Sequence, residues 1–189
     1  EYSDHRRPET VSFISDLNED LRRRDFTINA MAMSLSGEVT DPFQGRRDIE
    51  ERIIRCVGDP RERFQEDALR MFRALRFSAC LGFDVHEATF SAICQMSNLA
   101  SFLAAERIRE ELEKMLLSPS PQTLGRVIET GLMDSYLAGP AKSVPELRRL
   151  GRLPGNKRQR WAAFCAVLER EGLISSSGDF LRKLRLSNS

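Results

Sequence analysis

Arg63-Phe64-Gln65-Glu66-Asp67-Ala68-Leu69-Arg70-Met71-Phe72-Arg73-Ala74-Leu75-Arg76-Phe77 is the stretch on which the fold turns. Phe64, Ala68, Phe72, Leu75 and Ala79 recur at helical spacing, one apolar stripe along a long helix predicted over 61–81. Pro60 opens that helix and Gly82 ends it. Positions three apart share a face, so Asp67 and Arg70 are expected to project together, away from the Phe64/Phe72 stripe. A carboxylate only accepts hydrogen bonds and a guanidinium only donates them. Cytosine and adenine both place an amino donor beside a ring-nitrogen acceptor, which such a pair matches. Uracil and guanine present the reverse order and leave both groups facing like partners. The ordinary meaning of the spacing is a surface ion pair worth about 0.2–0.5 kcal/mol, and spacing alone favours that meaning.

Outward from this helix the chain divides unevenly. Downstream, helical segments are predicted at about 87–99, 105–117, 121–132, 144–151, 157–171 and 177–186, separated by Gly, Pro or Ser. Upstream, Arg46–Arg55 is predicted as a short helix and Asp41-Pro42-Phe43-Gln44-Gly45 as a loop. Met31–Leu35 and Glu38–Thr40 flank Ser36-Gly37 in the pattern of a β-hairpin. Thr10–Ile14 alternates like a strand. Asn18 or Asp20 is placed to cap a helix running over Leu21–Ala30. In that helix Asp25 and Asn29 share a face and could hold ribose hydroxyls, while Arg22-Arg23-Arg24 could grip a triphosphate. A solvated basic helix start is the plainer alternative. The organisation is a small mixed α/β piece followed by a helical array, with no internal repeat.

The 189 residues suit one domain or two small ones, and 30% of them are charged. No run approaches the roughly 20 apolar residues of a membrane span. No basic-then-apolar leader is visible, and the polar opening at Glu1, without a methionine, fits a fragment or trimmed chain. Cys56, Cys80, Cys94 and Cys165 lack metal-site spacing and read as buried reduced thiols of a cytoplasmic protein. Only His5 and His86 are available, so a Ser-His-Asp triad or a histidine-rich metal site has little material. A net charge of +1 hides an asymmetry, because residues 140–189 hold 11 basic against 4 acidic groups. Arginine outnumbers lysine heavily, which mildly favours a nucleic-acid or nucleotide partner.

Taken together, Arg23-Arg24-Asp25-Phe26-Thr27-Ile28-Asn29-Ala30, Asp41-Pro42-Phe43-Gln44-Gly45, Ile54-Arg55-Cys56-Val57-Gly58-Asp59-Pro60 and Arg63–Phe77 occur in an order and spacing that resembles one family. It is the class II tRNA nucleotidyltransferases, the bacterial CCA-adding enzymes above all. Glu106-Arg107-Ile108-Arg109-Glu110-Glu111-Leu112-Glu113-Lys114 resembles the family's next helical motif. The likeness is strong from about Arg6 to Pro119 and thin beyond. It implies a mainly α chain with a small β remnant. Residues 1–45 would be the remnant of a nucleotidyltransferase head, 46–119 a helical neck with the template helix, and 120–189 the start of a tRNA-facing body.

By the same resemblance, Arg23, Arg24, Asp25 and Asn29 contact the triphosphate and the ribose 2′-hydroxyl. Asp41 and Gly45 fall at a flexible junction of head and neck. Glu66, Asp67 and Arg70, with Arg73 beside them, form the amino-acid template that reads CTP and ATP. Glu106 and Arg107 lie on a helix that braces it. The implied activity is addition of C, C and A to the tRNA 3′ end in the cytoplasm, with Mg2+ as cofactor. The family's Gly-rich segment and Asp-x-Asp pair, which bind two magnesium ions, are not in this sequence. Asp16 and Asp20 are no substitute, so the chain by itself is expected to be inactive. Bacterial poly(A) polymerase shares the Arg-Arg-Asp-Phe motif, and relatives that add only CC or only A are further alternatives. Tyr2–Pro8 resembles a loop that CC-adding enzymes have shortened, which weakly disfavours that option. A non-catalytic RNA-binding helical module is the rival from another class.

Overall fold

The computed structural model describes residues 17–139 and 143–186. The strand expected over Thr10–Ile14, Asp16 and the Tyr2–Pro8 loop lie outside them. The described chain is mainly α. Helices α1 (Leu17–Arg22), α2 (Gly45–Glu51), α3 (Pro60–Glu66), α4 (Leu69–Leu81), α5 (Glu87–Met96), α6 (Ala105–Leu117), α7 (Leu124–Glu129), α8 (Lys157–Arg170) and α9 (Ser177–Lys183) are joined by short 3₁₀ turns. Strands β1 (Ala32–Met33) and β2 (Val39–Thr40) form the antiparallel hairpin expected, with Gly37 in the left-handed region at its turn. Strands β3 (Ile53–Ile54) and β4 (Asp84–Val85) pair in parallel. β3 corrects the helix expected through Arg55: α2 ends at Glu51, and Arg52 adopts φ 59° to turn the chain into the strand.

The long helix predicted over 61–81 is in fact two. Asp59 caps α3 by accepting the Arg61 amide at 2.9 Å, and Pro60 occupies its first turn. Asp67 then leaves helical geometry at φ −151°, ψ 104°. Its Oδ1 accepts the Leu69 amide at 3.0 Å and so begins α4. A short acceptor side chain satisfies an amide that the helix start would otherwise orphan, and that local bond outcompetes helix continuation. The stripe survives the break, since Phe64, Phe72, Leu75 and Ala79 are all fully buried. Gly82 ends α4 at φ 68°, as expected.

The helix predicted over Leu21–Ala30 is likewise replaced. α1 stops at Arg22, Phe26 bridges Cys56 as a one-residue β pair, and a 3₁₀ turn spans Thr27–Asn29. The Phe26 amide is held by Asp25 Oδ1 and Asn29 Oδ1, bonds that compete with a helical ladder. Further along, the segment expected at 121–132 divides into a 3₁₀ turn and the short α7, and 145–152 is 3₁₀ rather than α. One continuous apolar core runs from Phe26 through Leu75, Ile108, Leu112 and Trp161 to Leu184. Within it α4 lies along α6, and Arg76 on α4 is paired at 2.5 Å with the buried Glu111 on α6. Arg160 on α8 is also buried and donates to the carbonyls of Leu116 and Ser118, satisfying the end of α6.

Candidate nucleotide-binding site

The break at Asp67 makes an elbow, and the elbow faces the segment 22–29. Three arginines reach across. Arg63 Nη1 donates to the Arg22 carbonyl at 3.3 Å, and Arg70 Nη2 to the Arg23 carbonyl at 3.3 Å. Arg73 Nε donates to Asp25 Oδ2 at 2.5 Å. Two motifs more than forty residues apart in sequence are thereby joined along one seam. Asp25 is buried, and besides Arg73 it accepts from Asn29 Nδ2 at 2.8 Å. Asp25 and Asn29 therefore do meet, but through a side-chain-stapled turn and not on a helical face. Arg23 and Arg24 are exposed, and Arg24 pairs with Asp20 at 2.9 Å.

On the elbow itself Asp67 and Arg70 do not share the face of one continuous helix, so the geometric premise drawn from their spacing is corrected. They are still neighbours across the first turn of α4, where the Arg70 amide donates to the Asp67 carbonyl at 3.0 Å. Each is engaged by another side chain. Arg70 Nη1 donates to Glu66 Oε2 at 2.6 Å and to the Arg63 carbonyl at 3.0 Å. Asp67 Oδ2 accepts from Arg107 Nη2, on the first turn of α6, at 2.8 Å. Glu106, the residue before Arg107, pairs instead with Arg185 at 2.9 Å. The result is a half-exposed acceptor beside a largely sheltered donor, over the Arg-Arg-Asp segment.

Asp41 and Gly45 lie at the edge of this region. Asp41 accepts the amides of Gly45 and Arg46 at 2.7 and 3.0 Å, capping α2. Gly45 is buried against the Thr27 carbonyl, where a Cβ would overlap the backbone. Asp48, which the sequence did not single out, is buried and binds Thr27 Oγ1 at 2.6 Å and Arg55 Nε at 3.0 Å. Arg63 was missed too, although its place one turn before Glu66, which it holds at 2.5 Å, was a readable signal. Cys56 lies behind the seam, and burial above all pushes its thiol up to about 12. Burial likewise pushes Cys165 up to about 11. Both are poor nucleophiles. Cys94, expected to be buried, is exposed, and Cys80 is intermediate. Among the described residues no group of three or more His, Cys, Asp or Glu could hold a metal ion, so the side chains described do not fit a two-magnesium site. Among them, also, no helix is long and apolar enough to cross a membrane.

Residues 1–55 match the family model of the poly A polymerase head domain, and residues 82–148 that of a probable RNA and SrmB-binding site of polymerase A. The chain belongs to the tRNA nucleotidyltransferase/poly(A) polymerase family. A CCA-adding enzyme of Geobacillus sp. (strain WCH70) is 44% identical over 193 residues, covering 100% of this chain and 46% of the relative. One from Anoxybacillus flavithermus is 46% identical over 171 residues, covering 88% of this chain and 43% of the relative. The crystal structure of the Bacillus stearothermophilus CCA-adding enzyme in complex with CTP superposes with a TM-score of 0.80 at 42% identity, covering 94% of this chain and 45% of that one. The Thermotoga maritima CCA-adding enzyme complexed with tRNA gives 0.70 at 25% identity, covering 91% and 45%. The chain thus spans about half the length of the family members it matches.

Proposed function

We propose that this chain is the nucleotide-reading segment of a template-independent tRNA nucleotidyltransferase, one that adds C, C and A to the tRNA 3′ end from CTP and ATP. The observation that carries the reading is the three-arginine seam, which sets the Arg-Arg-Asp segment beside the Asp67/Arg70 elbow. In this reading Asp67 Oδ2 accepts the exocyclic amino group of either base and Arg70 donates to the adjacent ring nitrogen. Glu66 holds the Arg70 fork in plane. Asp25 and Asn29 receive the ribose hydroxyl, with Arg73 fixing Asp25. Arg23 and Arg24 meet the triphosphate. Asp41 and Gly45 anchor the junction between a head segment, 1–45, and a neck, 46–119. Residues 120–189 begin a body whose exposed Arg148, Arg152, Arg158 and Lys183 are placed to meet tRNA phosphates. The reading carries with it a cytoplasmic location and Mg2+ as the parent enzyme's cofactor.

Support comes from the relatives, whose names describe CCA addition and whose structures include a CTP complex. The test is calorimetric titration of the 189-residue chain with each of CTP, ATP, UTP and GTP. CTP and ATP should bind several-fold tighter than UTP and GTP. Equal binding of all four overturns the template, and tRNA binding with no nucleotide preference supports the non-catalytic RNA-binding rival. Measurable binding of ATP alone moves the assignment to a poly(A) polymerase or an A-adding relative.

A further inference from the structure

Both carboxylate oxygens of Asp67 are engaged, and the two bonds differ in kind. Oδ1 takes the Leu69 amide at 3.0 Å, a local bond that shapes the elbow. Oδ2 takes Arg107 Nη2 at 2.8 Å, from a residue forty positions away. Arg107 stands in the first turn of α6, where unpaired amides make the helix end positive and a cation is poorly placed. Its side chain is 49% exposed, and Asp67 is its ion-pair partner among the described residues. The bond is therefore single, wet and opposed by the helix that carries it. A structural clamp in this same molecule looks different: Arg76 and Glu111 are 13% and 4% exposed.

We propose that Arg107 stands in for the base when the site is empty. Its guanidinium N–H supplies to Asp67 Oδ2 the hydrogen bond that the amino group of cytosine or adenine supplies when a nucleotide is read. Reading is then an exchange of one N–H donor for another, with Arg107 released to solvent. Uracil and guanine present a carbonyl at that position and offer Asp67 no N–H to exchange, so Asp67 rejects them with or without Arg107. Arg107 then tempers the preference for CTP and ATP and is not merely a prop for the elbow. The inference rests on the nucleotide-reading function proposed above.

The test is the same titration on the wild-type chain, Arg107→Ala and Arg107→Lys, with thermal melts to confirm that each is folded. Removing a half-exposed competitor should tighten CTP and ATP by about two- to fivefold, the size of such an ion pair. UTP and GTP should gain less, so the preference for CTP and ATP widens in Arg107→Ala, a change that altered stability alone would not produce. Arg107→Lys should return CTP and ATP to wild-type affinity. The gain in Arg107→Ala should shrink at high salt, since the competing pair is screened there. Unchanged or weaker CTP and ATP binding by Arg107→Ala overturns the stand-in and leaves a brace. If the wild-type chain itself fails to prefer CTP and ATP, the nucleotide-reading function has failed and the stand-in with it. Preference in the wild type without tightening in Arg107→Ala removes only the stand-in.

Discussion

Arg70 and Arg76 stand six residues apart on α4 and serve opposite ends. Arg70 donates to two backbone carbonyls and to Glu66, whose side chain is 46% exposed. Arg76 donates to Glu111, 4% exposed, and lies over the Phe77 ring at 3.9 Å. Around Arg70 the partners are carbonyl oxygens and a wet carboxylate, groups that water or a ligand can replace at small cost. Around Arg76 they are a buried carboxylate and the half-buried Phe77 ring, packed against the core, where water replaces them poorly. In the proposed function the same guanidinium reads at one end of the helix, and it holds at the other. Solvent access to its partner decides which.

The largest effect should come from attacking the holding end. Glu111→Leu strands Arg76 without its carboxylate and should cost about 3 kcal/mol, read as a lowered urea midpoint. The double variant Glu111→Leu/Arg76→Met should recover most of that, because a packed apolar pair can replace a buried ion pair. If the single variant is as stable as the wild type, the contrast between the two ends is wrong. At the reading end, Arg70→Ala should cost only about 1 kcal/mol of stability. It should weaken CTP and ATP together by about tenfold or more, the worth of a charge-assisted hydrogen bond to each base. Loss of one nucleotide without the other would break the shared-fork reading.

Much of this contrast could be read before the structure, though not its geometry. α6 appears with the boundaries expected, the hairpin turns at Gly37, and Gly82 stops α4, because each is fixed by periodicity or by a residue's own backbone freedom. The stripe from Phe64 to Ala79 named four buried residues correctly even though its helix is broken, with Ala68, at the break, only half-buried. Burial needs only approximate spacing. The break was missed because Asp67 carries two conflicting signals: it fits a helix interior pattern, and it is also a strong cap. Asp25 and Asn29 were paired correctly for an incorrect reason, their contact arising from a turn. The bonds of Arg73 to Asp25 and Arg107 to Asp67 span 48 and 40 residues, and no local pattern encodes them. Arg63 and Asp48 were legible as charges but not as partners.

The capping bond of Asp67 and its proposed reading of the base can be separated with a smaller perturbation. In Asp67→Asn the amide oxygen can still accept the Leu69 amide, so the cap survives and stability should change by only a few tenths of a kcal/mol. The other atom becomes an NH2 donor and no longer accepts from a base or from Arg107. Preference for CTP and ATP over UTP and GTP should disappear while thermal unfolding stays put. A fall in stability as large as that of Glu111→Leu would mean that Asp67 belongs with the holding residues.

The smallest effect is expected at Glu106, the neighbour of Arg107 that faces Arg185 instead of the elbow. Its carboxyl lies below the usual range, chiefly because it accepts a backbone amide at the start of α6, with Arg185 adding to the shift. A depressed folded-state pKa contributes stability above the unfolded value of 4.5 that is lost as pH falls through the folded value. Glu106→Gln should therefore leave CTP and ATP affinity at neutral pH as it was. Its stability, followed by urea midpoints from neutral pH down to about pH 3, should fall less steeply below pH 4.5 than that of the wild type. A change in nucleotide preference in this variant would show that the first turn of α6 acts as one unit, and that Arg107 does not read independently of the end of α9.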